Sequence, residues 1–320
     1  MAPGVEVLFA PELLPRPRYA ADHSGTPVDL SDDQHRTWSS MLAAADVSFD
    51  FDWRAPAELP ATAPRLRWVQ ATSAGIGQFL QRTGLDSSTL TFTTAAGVHA
   101  VPLAEFALTG LLYFMRGVPH LRAMQAARHW ERYAATSARG RRALVVGLGS
   151  IGRETCALLA GAGLEVWGVG RPGRTYDVPS ASRVIDTDAL DDALPHADAV
   201  VLACPLTKET SGLLSRARLA LLPPGAVLVN VSRGQVVDEP ALIDALEDGR
   251  LGGAALDVFA VEPLPVESPL WAREDVLVSP HSASTLASEN AAIVDLFCDN
   301  LRRFLDGRPL RNLYRPDDGY

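Results

Sequence analysis

The chain has 320 residues, of which 47% are hydrophobic and 21% charged, and its net charge is −9 with 29 basic against 38 acidic residues. Its length exceeds what one hydrophobic core usually supports, so two domains are expected, and its composition leaves little room for long disorder. The acidic balance, without a run of like charges, argues against nucleic acid as a partner.

The N-terminal residues and the cysteines set further limits. The segment MAPGVEVLFAPELLPRP has an acid inside a short apolar run and no basic leader, so no export signal is predicted. The most apolar segment, residues 106–115, is shorter than the ~20 residues of a membrane-spanning helix, so we expect a cytoplasmic protein without a membrane partner. Cys156, Cys204 and Cys298 are widely spaced without a metal-ligand pattern, so we expect buried thiols and neither disulfides nor a metal.

Short apolar runs alternate with helical patterns along the chain. The predicted strands are VEVLF (5–9), LRWVQ (66–70), ALVVG (143–147), LEVWGV (164–169), DAVVLA (198–203), AVLVNV (226–231), GAALDV (253–258) and VLVS (276–279). Continuous apolar strands separated by helices are typical of parallel sheets buried on both faces. The pattern therefore predicts an α/β protein.

Two long helical patterns flank the middle of the chain. Residues 101–130 are predicted to start a helix at Pro102 and to break or bend near Pro119. Residues 284–305 are predicted to form a helix that returns to the first lobe. We therefore expect a substrate-binding (catalytic) domain of residues 1–102 and 284–320, and a dinucleotide-binding domain of residues 103–283.

The stretch VVGLGSIG contains the pattern G-x-G-x-x-G at Gly147, Gly149 and Gly152, between a predicted strand and a predicted helix. In this context the first glycine permits a tight turn, the second lets the backbone approach a pyrophosphate, and the third lets the helix pack on the strand. The alternative is a tight turn without a ligand. The predicted cofactor-binding residues of this turn are Gly147, Leu148, Gly149, Ser150, Ile151 and Gly152.

The residues after the next strand indicate which dinucleotide is bound. Gly170 stands where an acid commonly binds the adenosine ribose, and Arg171 and Arg174 follow it. Guanidinium groups can bind a 2′-phosphate that a carboxylate would repel. NADP(H) is therefore the preferred cofactor, with NAD(H) possible; the alternative is that both arginines are solvated loop residues.

Several motifs in the second half occur in a fixed order: NVSRG with VDE, GAALDVF with EPLP, and SPLW with SPH. Together with GLGSIG they resemble the D-isomer-specific 2-hydroxyacid dehydrogenase family, closely over residues 140–285 and more loosely over the first 130. The resemblance implies two Rossmann-like lobes with the active site in the interlobe cleft. It also implies a homodimer, in which RAMQAARHWERY with Trp130 is a candidate interface arm; a helix packed within one subunit would give the same pattern.

The resemblance implies three catalytic residues. Arg233 follows the strand VLVNV and would bind and polarise a 2-oxo acid, because its guanidinium fork can hold carboxylate and keto oxygens together. His281 follows the strand VLVS and would be the general acid and base. Glu262 would support the charged form and the orientation of the His281 ring.

Further binding roles follow from the same resemblance. The residues implied to contact the cofactor are Cys204, Pro205, Val231, Ser232, Arg233, Asp257 and His281; for Asp257, capping a nearby backbone N–H is the structural alternative. Ser73, Ala74 and Gly75 are implied to offer backbone N–H groups to the substrate carboxylate, alongside Arg233 and His281. The roles of His99 and Trp53 are left open: His99 could contact the substrate, and Trp53 could close over it, although a core position is the more common one for such a tryptophan.

These observations predict an oxidoreductase that transfers hydride between NAD(P)H and a small 2-oxo acid, and they favour an NADPH-preferring glyoxylate/hydroxypyruvate-type reductase. Because the sequence ends soon after the return helix, a phosphoglycerate dehydrogenase with a regulatory C-terminal domain is disfavoured. The alternative is an NAD(P)-sensing binding module, since the C-terminal-binding-protein corepressors resemble this family. The complete catalytic set favours the enzyme.

Overall fold

The computed structural model describes residues 4–23 and 25–315. The chain divides into two compact units. One comprises Met1–His99 with Thr285–Tyr320 and is called here the discontinuous unit; the other, Ala100–Ser284, is called the central unit.

The elements follow in chain order. The strands are β1 (Val47–Phe49), β2 (Trp68–Gln70), β3 (Thr91–Thr93), β4 (Arg142–Val146), β5 (Glu165–Gly170), β6 (Arg183–Asp186), β7 (Ala199–Leu202), β8 (Ala226–Asn230), β9 (Leu251–Leu256) and β10 (Val276–Val278). The α-helices are α1 (Asp32–Ala44), α2 (Leu59–Thr62), α3 (Gly77–Thr83), α4 (Ala100–Met115), α5 (Val118–Ala127), α6 (Ser150–Gly161), α7 (Leu190–Ala193), α8 (Arg216–Leu221), α9 (Glu239–Glu247) and α10 (Glu289–Leu305).

The central unit is built on one parallel sheet with the strand order β10-β9-β8-β7-β4-β5-β6. Every residue of β7 and β8 is buried, because these inner strands are covered on both faces. Helix α4 lies so close to β9 that a Cβ on Gly110 would come within 2.4 Å of the Ala255 Cβ. The prediction of parallel sheets flanked by helices is confirmed.

The strand order reverses between β4 and β7, since the chain runs outward through β5 and β6 and then returns. In open α/β sheets, ligands bind beyond the carboxyl ends of the strands at such a reversal. A ligand-binding site is therefore expected at the turns that follow β4 and β7.

The discontinuous unit contains three parallel strands in the order β1-β2-β3. Trp68 at its centre is fully buried, and its Nε1 donates to Thr93 Oγ1 over 2.8 Å. The rings of Phe297 and Phe304, both on α10, lie 5.4 and 5.5 Å from the Trp68 ring. The return helix therefore packs on this small sheet, although it starts at Glu289 rather than at residue 284.

The predicted strand at residues 5–9 is wrong, because this segment has no strand conformation. Val7, Leu8 and Phe9 are exposed by 63%, 41% and 69%. Among the residues that the structure describes, the segment makes no backbone hydrogen bond to a neighbouring strand. An apolar run alone does not make a strand when no sheet edge receives its N–H and C=O groups.

The predicted long helix at residues 101–130 is two helices. Gly117, with φ of +66°, separates α4 from α5, and Pro119 lies in the first turn of α5. The two axes differ by 58°, so the predicted bend near Pro119 is confirmed, but α5 already ends at Ala127. Within residues 4–23 and 25–315 no single helix has the length and apolar composition to cross a membrane, although α4 and α5 pass that test as a bent pair.

Two of the three cysteines are core residues, as predicted. Cys156 is fully buried and Cys204 is 6% exposed, and burial raises the pKa of each thiol to about 12. Both thiols are therefore protonated at neutral pH and behave as small apolar side chains. Cys298 on α10 is partly buried.

Candidate active site

The glycine-rich turn connects β4 to α6. Gly147 has φ of +97°, and a Cβ there would lie 2.6 Å from the Cys204 Cα, so this turn touches the segment that follows β7. A Cβ on Gly152 would lie 1.7 Å from the carbonyl oxygen of Gly147. The positions of the first and third glycines thus have no room for a side chain.

The middle of this turn fits a pyrophosphate. A Cβ on Gly149 would meet nothing within 4 Å, so the space above the turn is open. Gly149 caps α6 without a side-chain hydrogen bond, which leaves the first N–H groups of this helix available to an anion. Leu148, in contrast, is buried against Gly168, so its side chain belongs to the core and only its backbone can face a ligand.

Arg171 and Arg174 form the two ends of one turn after β5. The Arg174 N–H donates to the Arg171 carbonyl over 3.3 Å, and Gly173 has φ of +71°. Proline followed by a glycine of positive φ is the arrangement of a type II turn, which brings its first and fourth residues close together. The structure therefore brings together the two arginines that the sequence singled out.

The residues after β7 meet the glycine turn through backbone atoms. The Cys204 side chain points into the core, so its contribution to a site is its backbone next to Gly147. The Pro205 carbonyl accepts a hydrogen bond from Thr210 Oγ1 over 2.6 Å, which holds this loop.

Arg233 is held by a short hydrogen-bonded turn after β8. The Asn230 Oδ1 accepts from the Ser232 N–H over 3.0 Å and from its hydroxyl over 2.6 Å. The Asn230 Nδ2 donates to the Arg233 carbonyl over 3.1 Å. Val231 and Ser232 are buried, whereas Arg233 is partly exposed. Asn230 is not among the residues predicted from the sequence, although its place as the last residue of a buried strand was a signal.

The environment of Arg233 combines burial with negative charge. Burial lowers the pKa of this guanidinium, while the charges of Glu262 and Asp257 act in the opposite direction. Arginine stays protonated throughout the physiological range, so the side chain presents a partly desolvated cation. A desolvated cation of this kind attracts an anionic substrate more strongly than one fully in water.

His281 and Glu262 form a direct pair. The His281 Nδ1 and the Glu262 Oε2 are 2.7 Å apart, and the Glu262 Oε1 accepts from the Phe259 N–H over 3.0 Å. Burial raises the pKa of Glu262, but the His281 hydrogen bond, the Phe259 N–H and nearby positive charges outweigh it, so the net shift is downward. Glu262 is therefore an anion that fixes one ring nitrogen of His281.

Asp257 fixes the loop that carries His281. Its Oδ1 accepts from the Ser279 hydroxyl over 2.6 Å and from the N–H groups of Ser282 and Ala283 over 2.8 and 2.9 Å. His281 itself has φ of +54°, a left-handed conformation that costs a residue with a side chain ~1–3 kcal/mol. The structural alternative considered for Asp257 is thus present: it caps the turn around His281. Burial raises the pKa of Asp257.

The predicted substrate loop lies in the discontinuous unit, after β2. Ser73 and Gly75 are exposed, and the Ser73 carbonyl accepts from the Ala95 N–H over 3.0 Å. Trp53 is 48% exposed, so of the two alternatives for this residue the core position is wrong. Its Nε1 donates over 2.9 Å to Asp50, which makes it a surface residue held in place beside the unit's aromatic rings.

His99 has an internal partner in the same unit. Its Nε2 lies 3.1 Å from the Glu289 Oε1, and the His23 Nε2 lies 3.2 Å from the same oxygen. Glu289 is 8% exposed at the first residue of α10. The pairing ties the segment before α4 to the start of α10, and nothing in the sequence indicated it, because the three residues lie far apart in the chain.

Comparison with known proteins agrees with this geometry. Residues 108–283 match the family model described as D-isomer specific 2-hydroxyacid dehydrogenase, NAD binding domain. The chain is 33% identical over 281 residues to (S)-sulfolactate dehydrogenase of Chromohalobacter salexigens, covering 87% of this chain and 90% of that protein. It is 35% identical over 274 residues to D-3-phosphoglycerate dehydrogenase of Mycobacterium leprae, covering 82% of this chain and 49% of that protein. The chain therefore spans about half the length of this relative.

Solved structures give the same result. A D-isomer specific 2-hydroxyacid dehydrogenase of Xanthobacter autotrophicus, in complex with NADPH and MES, has a TM-score of 0.77 and 34% identity over 94% of this chain and 98% of that one. The NADPH-dependent glyoxylate/hydroxypyruvate reductase of Sinorhizobium meliloti, in complex with NADP and sulfate, has a TM-score of 0.77 and 26% identity over 94% and 93%. By its sequence, its fold and the residues gathered at the ends of its strands, the chain belongs to the D-isomer-specific 2-hydroxyacid dehydrogenase family.

Proposed function

We propose that the protein is an NADPH-preferring reductase of small 2-oxo acids, of the glyoxylate/hydroxypyruvate type. The observation that carries the proposal is the pair formed by Glu262 and His281, with Arg233 close enough for its charge to act on Glu262. A cation and an oriented imidazole are the two groups that reduction of a 2-oxo acid requires from a protein.

The three residues have separate tasks in this proposal. Arg233 binds the substrate carboxylate and the keto oxygen, and it stabilises the negative charge that develops on that oxygen. When bound, the nicotinamide supplies the hydride that reaches the keto carbon. His281 donates the proton to the oxygen. Glu262 pairs with the Nδ1 of His281, so it leaves the Nε2 of that ring directed away from itself, and its charge stabilises the imidazolium.

Further residues complete the proposed site. Backbone N–H groups of Ser73, Ala74 and Gly75 would bind the substrate carboxylate, and Val231 and Ser232 would lie under the nicotinamide. Asp257 accepts three hydrogen bonds through Oδ1, so its other oxygen is the one that would accept from the carboxamide. The turn at Gly149 and the paired arginines after β5 support a phosphorylated dinucleotide.

The test follows the loss of NADPH or NADH absorbance with the purified protein and a panel of acids. The panel contains glyoxylate, hydroxypyruvate, pyruvate, phenylpyruvate, 3-phosphohydroxypyruvate and sulfopyruvate, the last two because relatives are named for phosphoglycerate and sulfolactate. We expect kcat/KM to be highest with NADPH and a two- or three-carbon 2-oxo acid that carries no charged group besides its carboxylate. Faster turnover of the phosphorylated or sulfonated acid would overturn the substrate assignment. Cofactor binding without any turnover would favour the binding module instead.

We also propose a homodimer. Trp130 is 97% exposed in the segment after α5, while Tyr133 of the same segment donates through its hydroxyl to the Arg116 carbonyl over 2.7 Å. A fixed segment that carries a fully exposed tryptophan is suited to burial against a second copy, because such residues dominate interface energetics. Sedimentation velocity should give a dimer for the wild type and a weakened dimer for Trp130→Ala. A monomeric wild type would contradict the proposal.

A further inference from the structure

The residue that follows β5 decides how an adenosine ribose can be held, and here that position has no room for a side chain. Gly170 is buried, and a Cβ built on it would lie 2.3 Å from Cε2 and 2.6 Å from Cδ2 of the Tyr176 ring. Real Cβ atoms essentially never come so close to another side chain. As long as Tyr176 keeps this place, neither aspartate nor glutamate fits at position 170.

The same ring is in contact with both ends of the arginine turn. The Tyr176 hydroxyl oxygen accepts from the Arg171 backbone N–H over 3.1 Å. The Arg174 guanidinium carbon lies 5.8 Å from the centre of the Tyr176 ring, within the range of a cation–π interaction. One partly buried tyrosine therefore contacts the end of the strand and fixes the backbone of Arg171 and the side chain of Arg174.

These contacts disfavour the binding of NAD(H) and favour the binding of NADP(H). The ring excludes the carboxylate that would accept hydrogen bonds from the 2′- and 3′-hydroxyls of NAD(H). It also fixes the backbone of Arg171 and reduces the side-chain freedom that Arg174 loses on binding a 2′-phosphate. Binding is tighter when groups are held in place beforehand. A tyrosine that only filled space would affect both cofactors equally.

We propose that Tyr176 is the positioning residue that sets the cofactor preference: it occupies the place of a ribose-binding acid and orders Arg171 and Arg174 for a 2′-phosphate. The inference rests on the proposed function, because it assumes that an adenine dinucleotide lies over the turn at Gly149.

The test measures binding without substrate, by titrating the full-length protein with NADPH, NADH and adenosine 2′,5′-bisphosphate in a calorimeter. Tyr176→Ala should lower the affinity for NADPH and for the bisphosphate by about 10-fold, which corresponds to the loss of one backbone hydrogen bond and one cation–π contact. NADH binding should change by less than about 2-fold. Tyr176→Phe keeps the ring and loses the hydroxyl, so it should lie between wild type and Tyr176→Ala.

A second pair of variants tests the exclusion of an acid. Gly170→Asp alone should weaken the binding of both NADPH and NADH, because the new side chain would collide with the tyrosine ring. Gly170→Asp combined with Tyr176→Ala should bind NADH more tightly than Tyr176→Ala does, because the acid then has room. Thermal melting of each variant checks folding, and Tyr176→Phe decides the matter if Tyr176→Ala does not fold.

The outcomes separate the inference from the proposed function. A wild type that binds NADH as tightly as NADPH would remove the proposed cofactor preference and the inference with it. If the wild type prefers NADPH but Tyr176→Ala lowers the affinity for NADPH and NADH equally, the inference is overturned and the proposed function stands. A selective loss of NADPH and of the bisphosphate supports the role of Tyr176.

Discussion

His281 Nδ1 lies 2.7 Å from Glu262 Oε2, although the two residues follow different strands, β10 and β9. Adjacent parallel strands bring the turns at their carboxyl ends together, which explains how residues 19 positions apart in sequence form a pair. The ring is then fixed through one nitrogen, and in the proposed reaction the other nitrogen would meet the reacting oxygen.

Replacing Arg233 should abolish most of the activity. We expect Arg233→Ala to lower kcat/KM by ~10²–10³-fold or more, because substrate orientation and charge stabilisation are lost together. Arg233→Lys should recover only part of the activity, since an ammonium cannot form the two parallel hydrogen bonds of a guanidinium. Arg216→Ala, which removes an arginine 60% exposed on α8, is the matched control and should be unaffected. Turnover of Arg233→Ala near the wild-type rate would contradict the proposed function.

Glu262 should make stability depend on pH in the acid range. Its pKa in the fold lies below the ordinary 4.5, so between the two values the unfolded chain binds more protons and stability rises with pH. The contribution of Glu262 is therefore present above pH 4.5 and is lost as the pH falls through the folded pKa. Because the carboxylate is about one-third exposed, we expect a modest effect.

The measurement compares the melting temperature of wild type and Glu262→Gln from about pH 6 to about pH 3. The two should converge as the pH falls. Glu267→Gln, at an exposed glutamate five residues away, should run parallel to the wild type at every pH. A constant offset between wild type and Glu262→Gln would indicate that the charge of Glu262 does not contribute.

Asp257 should be needed for its hydrogen bonds more than for its charge. Asp257→Ala leaves three donors around His281 without their acceptor, and we expect it to lower the free energy of unfolding by about 2–4 kcal/mol. Asp257→Asn keeps an acceptor oxygen and removes a buried charge, so it should change stability by no more than about 1 kcal/mol. Urea unfolding curves of both variants give the comparison. Equal losses in Asn and Ala would show that the negative charge itself is required.

Glu209 should weaken the binding of NADPH. The pKa of Glu209 is lowered, chiefly by a hydrogen bond from Thr207 and to a smaller extent by the charge of Arg171, so the carboxylate acts on the arginine that would meet the phosphate. Glu209→Gln should raise the affinity for NADPH about 2–3-fold at low ionic strength and leave the affinity for NADH unchanged. The gain should be smaller in high salt, which screens the charge. Calorimetric titration at two salt concentrations measures this. A gain of the same size for NADH would point to a general effect on the loop.

Much of the fold could be predicted because its signals are local. The positive φ of Gly147 and the approach of Gly152 to the Gly147 carbonyl both arise within the βαβ unit, and the continuous apolar runs of β7 and β8 indicated inner strands. The resemblance to the family also pointed to Arg233, Glu262 and His281, and the structure shows the pairing of Glu262 with His281. By the same local rule VEVLF should have been a strand, and it is not, because a strand also needs a neighbouring edge to receive its hydrogen bonds.

The sequence by itself determined the α/β class, the family and the candidate chemistry, since each depends on residue types at fixed spacing along the chain. The tertiary structure decided how those residues are held. It made Asp257 the cap of the His281 turn, joined His99 to Glu289 across 190 positions, and put the ring of Tyr176 where a ribose-binding acid would stand. Contacts of this kind are set by packing and backbone direction between distant or turning segments, and no periodicity in the chain encodes them.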